Sequence, residues 1–213
     1  MKRATIILLS IISCLVFCME ARTIKDFFAS EQGELLSLLP QNTRLDMIDY
    51  FEAGRLVDVK NNLSEGTHFI AMTDNYISVQ LTKSSIVELL LVPVSKNDSI
   101  IVAITTLSLP AKDSRIAFYN TDWEPIDSKR YFKPVTMKDF VTIPKGDKTK
   151  QETVLAAIDF PIISYSVNPA DHTIVARHGL EEYMSKEDFK KIKPYLRDSI
   201  PYTKKGNALR PLK

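Results

Sequence analysis

Apolar residues recur along this chain with two spacings, and the change between them separates a helical beginning from a strand-rich middle. In "TIKDFFASEQGELLSLLP" (23–40), Ile24, Phe27 and Phe28 and then Leu35, Leu38 and Leu39 recur at helical spacing before Pro40. Thr23 stands in N-cap position with Asp26 three residues on, the arrangement of a capping box. Gly33 is expected to divide the segment into two short helices. "RLDMIDYFEAG" (44–54) predicts a third helix. At about 100° per residue, Leu45, Met47, Ile48 and Phe51 cover one side and Asp46, Asp49 and Ala53 the other, and Gly54 supplies the stop.

From Leu56 the period becomes two. In "NYISVQLT" (75–82), Ile77, Val79 and Leu81 point one way and Ser78 and Gln80 the other, the mark of a half-buried strand. "SIVELLLVPV" and "SIIVAITTLSL" are nearly continuous in Val, Ile and Leu and flank the turn signal "SKNDS", so they predict central strands covered on both faces. "SRIAFYNTDWEPI" predicts a further strand, with Ile116 and Phe118 on one face. Residues 144–152, "PKGDKTKQE", are the most loop-like. "FPIISYSV" and "TIVARHGL" then flank the turn "NPADH" as a hairpin. Finally Ser185 caps "KEDFKKIKPYL", in which Phe189, Ile192 and Leu196 form one stripe and Pro194 ends or kinks the helix.

The succession predicts an α+β fold: a twisted, largely antiparallel sheet of six or more strands between residues 56 and 177, packed by the N-terminal helices (22–55) and a C-terminal helix (185–198). Short links between strands leave no room for crossover helices, hence the antiparallel arrangement. The second face of the central strands still needs cover, for which the C-terminal hairpin is the candidate. With 213 residues, 45% apolar and 25% charged, the chain suits one globular domain, spanning 22–213, with a core of its own.

Residues 1–21 are set apart. Lys2 and Arg3 precede an apolar run from Ala4 to Phe17, short for a membrane span of about 20 residues and suited to a secretory signal. Cleavage after Ala21 leaves Arg22 as the first residue; cleavage after Cys18 is the other choice. Lipid attachment at Cys14 or Cys18 is an alternative route to the envelope. Both cysteines lie in this segment, so a chain starting at Arg22 has neither thiol nucleophiles nor disulfides. Periplasmic or extracellular location is the expectation.

Charge is unevenly placed. Residues 185–213 hold nine Lys or Arg against three acids, whereas residues 22–184 hold 17 against 22. On an exported protein the basic end, with Lys190, Lys191 and Lys193 in the helix and a tail over 204–213, is a candidate contact for an anionic membrane surface or an acidic glycan rather than for nucleic acid. The alternative is a solvated helix face followed by a frayed terminus.

Chemistry is sparse. His172 and His178 lie six residues apart, about 20 Å along a strand, too far to share an ion. His68 is isolated in sequence. No serine has the glycine spacing of a nucleophile elbow, and there is no phosphate loop or paired-histidine zinc helix. Asp113 to Glu124 has the length of a calcium loop, but Arg115 and Ala117 stand where oxygen ligands belong. Asp46 and Asp49 remain, one helical turn apart, as a candidate partner-binding or structural polar pair.

"TIKDFF", "NTRLDMIDYFEAG", "MTDNYISVQLTKSS", "DSRIAFYNTDWEPI" and "SKEDFKKIKPYL" in this order resemble an uncharacterised family of exported Bacteroidales proteins, classed as a domain of unknown function. The resemblance covers nearly all of residues 22–213. It implies export by a Gram-negative bacterium and a single domain, and it carries no activity, cofactor or catalytic residue. The leading expectation is therefore a non-enzymatic envelope module that binds a protein, glycan or lipid partner without a cofactor or metal. The rival is a hydrolase whose acids, Asp46 and Asp49 among them, assemble from distant parts of the chain.

Overall fold

The computed structural model describes residues 22–31, 33–96, 98–108, 110–143 and 147–212. The N-terminal apolar run, Cys14, Cys18 and Lys213 lie outside the described residues.

Helix α1 (Ile24–Ser30) begins at the capping box: the Asp26 carboxylate accepts from the Thr23 N–H at 2.7 Å and from its hydroxyl at 3.1 Å. It buries Ile24, Phe27 and Phe28. The expected second helix is instead a series of turns over 33–39. The Glu31 side chain accepts from the N–H groups of Gly33 (2.6 Å) and Leu36 (3.3 Å), so a side chain takes donors that a helix would use. Leu36 and Leu39 are buried all the same.

Helix α2 (Gln41–Glu52) is rotated from the face that its apolar residues suggest. Arg44 and Met47 are buried, Ile48 and Phe51 half-buried, and Leu45 is 46% exposed. The cause is Arg44, whose Nη1 donates to the Phe28 carbonyl at 2.8 Å and whose Nη2 donates to that of Glu31. Carbonyls at the end of α1 have no intrahelical donor. The guanidinium provides one, and the buried Glu31 carboxylate stands 3.8 Å away.

Strands β1 (Val59–Lys60), β2 (Gly66–Met72), β3 (Tyr76–Thr82), β4 (Ser85–Pro93), β5 (Ser99–Ser108) and β6 (Lys112–Tyr119) form one six-stranded antiparallel sheet in chain order. β4 and β5 pair from Ser85↔Leu107 to Pro93↔Ser99. Val87, Leu89 and Leu91 with Ile101 and Ala103 pack against α1 and α2, while Leu90 and Val92 with Ile100, Val102 and Ile104 face the other way into a second core. Burial on both faces is why these strands read as unbroken apolar runs. At the outer edge, β1 covers only Thr67 and Gly66 of β2, and an irregularity between Phe69 and Ala71 bends the remainder, which disfavours pairing with another chain.

A four-stranded antiparallel sheet covers the second face: β7 (Ile163–Val167), β8 (Ile174–His178), β9 (Ser199–Lys205) and β10 (Ala208–Pro211), in the order β10-β9-β8-β7. The predicted hairpin is β7–β8. Residues 204–211, expected as a solvated tail, close the β9–β10 hairpin around Gly206 (φ +61°) and Asn207. A glycine in the left-handed region suits such a two-residue turn, and Ile200, Tyr202 and Leu209 anchor both strands in the core.

Short helices α3 (Ser128–Tyr131), α4 (Met137–Phe140) and α5 (Lys148–Ala156) link the sheets. Helix α5 occupies most of the expected loop because Asp147 caps it, accepting from the Lys150 N–H at 2.9 Å, and Val154 buries its inner face. After α3, Phe132 enters the core between Phe118 and Tyr165, each 5.5 Å away, and stacks on Tyr202 at 4.7 Å. Helices α6 (Leu180–Tyr183) and α7 (Lys186–Ile192) follow β8. Ser185 caps α7, Phe189 and Ile192 are buried, and a 3-10 turn over Lys193–Tyr195 ends it at Pro194. The fold is thus α+β, with three layers: helices, six-stranded sheet, four-stranded sheet.

Candidate functional site

The apolar run of β4 is interrupted by Glu88, which points to the second sheet and is 6% exposed. Cross-strand register puts polar neighbours at this end of that face: Ser78↔Glu88 and, one row on, Ile86↔Thr106↔Ser114. The face is therefore apolar at one end, around Leu90 and Val102, and polar at the other.

Strand β7 crosses this polar end. Tyr165 donates its N–H to Ser114 Oγ of β6 at 3.0 Å, and two residues later Val167 donates to Glu88 Oε1 of β4 at 3.0 Å. β7 is the outermost strand of its sheet, so every second N–H faces away from β8 and lacks a strand partner. Side chains of the large sheet take the place of that partner. Tyr76 Oη donates to the same Glu88 Oε1 at 2.6 Å. Glu88 Oε2 receives no hydrogen bond from a described residue and is the oxygen left to the space between the sheets.

That space is a cleft of about 330 Å³. Hydroxyls of Ser78, Thr106, Ser164 and Ser166 line it, with Ile70 and Ile86 as apolar wall. Lys112 and Arg177 also line it and are exposed, which places them at its mouth, and Arg177 Nη1 is held by Ser166 Oγ at 3.0 Å. Burial pushes the Glu88 carboxyl above the ordinary range, against the hydrogen bonds from Tyr76 and Val167 and the charge of Lys112. Burial, with the Glu88 charge beside it, likewise raises the Tyr76 phenol.

Two larger cavities lack such a group. One, about 400 Å³, lies between Phe160, Leu180, Tyr183 and Ile192; the other, about 440 Å³, lies on the helix side of β5 and β6 by Ala103, Thr105 and Arg115. Neither holds a buried charged side chain among its described lining residues. A cavity lined by a buried acid with one oxygen still open to a donor offers a ligand a polar anchor, which singles out the inter-sheet cleft.

The raised Glu88 has a measurable consequence. With its folded pKa above the unfolded value, its contribution to stability is complete below the unfolded value and is lost as pH rises through the folded one. As pH rises above the ordinary glutamate range, urea melts are expected to show wild type losing stability relative to Glu88→Gln. The same pH dependence in both would contradict the assignment.

The residues expected from sequence lie elsewhere. Asp46 and Asp49 are exposed on the outer side of α2, and neither carboxylate pairs with a described residue. The double change to Asn is expected to alter stability by about 0.5 kcal/mol or less in urea denaturation; a loss of several kcal/mol would reveal a structural role. Lys190, Lys191 and Lys193 are exposed on α7 and the turn after it. Lys191 pairs with Asp188 at 2.7 Å, and Lys193 stands 3.8 Å from Glu181. None of the five lines the cleft. Among the described residues no three His, Cys, Asp or Glu side chains are grouped to hold a metal ion, and no helix is long and apolar enough to cross a membrane.

A family model described as "Protein of unknown function (DUF3256)" matches residues 16–208. The chain belongs to that family. A search of curated proteins finds no match. Among solved structures, the DUF3256 fold seen here is similar to a domain of an uncharacterized protein from Porphyromonas gingivalis, with a TM-score of 0.75 and 21% identity, covering 89% of this chain and 97% of that one. At that identity the likeness bears on the fold alone. The DUF3256 cleft residues left one trace in the sequence: Glu88 is the single charged residue of "SIVELLLVPV". An acid in a strand buried on both faces must be paired, hydrogen-bonded or neutral. Tyr76 and Lys112 share its sheet, on β3 and β6, whereas Arg177 joins it only through the crossing of the two sheets.

Proposed function

We propose that this protein is an exported, non-enzymatic module of the cell envelope that binds a small hydroxyl-bearing ligand in the inter-sheet cleft. The observation that carries the reading is Glu88, a buried residue whose Oε2 accepts no hydrogen bond from the described protein and is open to a hydroxyl-lined cavity of about 330 Å³. Ligand cavities run from about 300 to 1,000 Å³, so the space fits a small molecule rather than a chain. Glycoside hydrolysis by paired carboxylates needs a second acid roughly 5–9.5 Å from the first. Glu88 is the one carboxylate among the described residues that line the cleft, which favours holding a ligand over cleaving it.

The test is thermal melting with a panel of neutral sugars, uronic acids and dipeptides. A ligand of the cleft raises the melting temperature by mass action, and Ser164→Trp, which fills the cleft from β7, is expected to abolish the rise. A rise that survives Ser164→Trp would place the site elsewhere. Lys2, Arg3 and the apolar run from Ala4 to Phe17 support export. N-terminal sequencing of protein from its native host is expected to begin near Arg22; a diacylglyceryl group on Cys14 or Cys18 would make it an anchored lipoprotein instead, and a retained Lys2 would contradict export.

A further inference from the structure

We infer that the ligand of the cleft is a small acidic saccharide, its carboxylate at the mouth between Lys112 and Arg177 and its hydroxyls inside against Glu88, Ser78 and Thr106. This rests on the cleft being the ligand site and adds the class of molecule. Charge balance is the first argument. Lys112 and Arg177 face a single acid, Glu88, among the described lining residues, so the mouth of the cleft carries a positive excess that favours an anionic ligand over a neutral one. Lys112 makes no ion pair with a described residue, although its charge already acts on Glu88. Arg177 is oriented through Nη1 by Ser166, which leaves its other N–H groups for an acceptor at the mouth.

The second argument is the interior. The free Glu88 oxygen, when ionised, accepts only, whereas hydroxyls both donate and accept. A ligand therefore needs a donor for Glu88 and several groups of mixed character for Ser78, Thr106, Ser164 and Ser166. A sugar ring provides these together with C–H surface for Ile70 and Ile86. A zwitterionic amino acid or dipeptide offers an ammonium to Glu88, yet with no net charge it leaves the cleft's excess cation unbalanced.

Isothermal titration of the purified protein with glucuronate, glucose and glycylglycine tests the inference. Glucuronate is expected to bind about tenfold or more tightly than glucose, as one charge-assisted pair warrants. Lys112→Gln and Arg177→Gln are each expected to weaken glucuronate about tenfold while leaving glucose unchanged, Arg177→Lys to retain part of the preference, and added salt to reduce it. Circular dichroism and melting of each variant show that it is folded. Equal binding of glucuronate and glucose, or glucuronate binding indifferent to both cation changes, overturns the inference. If glucose or glycylglycine binds instead and Ser164→Trp abolishes that binding, the acidic class falls while the cleft remains the ligand site. Absence of binding by glucuronate in folded wild-type protein overturns the acidic class outright, and the broader melting panel then decides the cleft by itself.

Discussion

Arg44→Ala is expected to lower the free energy of unfolding by about 3–5 kcal/mol, the cost of leaving a buried ionic partner without its mate. Arg44 and Glu31 are 4% and 3% exposed, and removal of the guanidinium strands both the Glu31 carboxylate and the Phe28 and Glu31 carbonyls that end α1. Domains of this kind are stable by about 5–15 kcal/mol, so one side chain accounts for a large share. Arg44→Lys is not expected to rescue, because one ammonium does not span both carbonyls as the planar fork does. Arg44→Met combined with Glu31→Gln removes both charges and is expected to cost less than the sum of the single changes. Urea denaturation followed by fluorescence is the measurement. Trp123, the single tryptophan, donates its Nε1–H to the Phe27 carbonyl at 3.1 Å and so reports directly on α1.

Phe132→Ala is expected to cost about 3–5 kcal/mol on the opposite side of the large sheet. Phe132 is 3% exposed and fills the junction between Phe118 of β6, Tyr165 of β7 and Tyr202 of β9. Tyr202 Oη in turn holds the Lys133 carbonyl at 2.9 Å, which keeps the segment after α3 between the sheets. Removing the ring leaves a cavity lined by β6, β7 and β9. Because Trp123 belongs to the helix side, its emission in the folded state is expected to stay native in Phe132→Ala and to shift in Arg44→Ala. A loss under about 1 kcal/mol for Phe132→Ala would mean that the sheets are held together elsewhere.

Strands and most helices were legible in the sequence because local pattern determines them. Ile77, Val79 and Leu81 share a face as alternation requires, and Ser185 and Thr23 open helices through side chains within one turn. The rotation of α2 depends on something that periodicity does not weigh: Arg44 stands at the position three before Met47 and seven before Phe51, yet charge argues for solvent until the carbonyls of α1 are known to be its partners. Lys204 and Lys205 mark residues 204–213 as a basic tail, although Gly206-Asn207 is a hairpin signal in its own right. The candidate cleft was least legible. Its residues come from β2 to β8, separated by more than a hundred positions, and β7 meets the large sheet by crossing its strands, a geometry that no local spacing encodes. The exposed residues Asp46 and Asp49 attracted notice because neighbouring acids are visible in sequence, whereas burial is not.

The most direct test of the cleft as the ligand site is a map of backbone-amide chemical shifts on titration with the sugars, uronic acids and dipeptides of the melting panel. Saturable shifts are expected to centre on Val167, whose N–H rests on Glu88, and on Ser78, Thr106 and Ser166, with α2 and α7 silent. Shifts centred on Asp46 and Asp49, or on Lys190, Lys191 and Lys193, with the Val167 amide unmoved, would contradict the cleft as the ligand site.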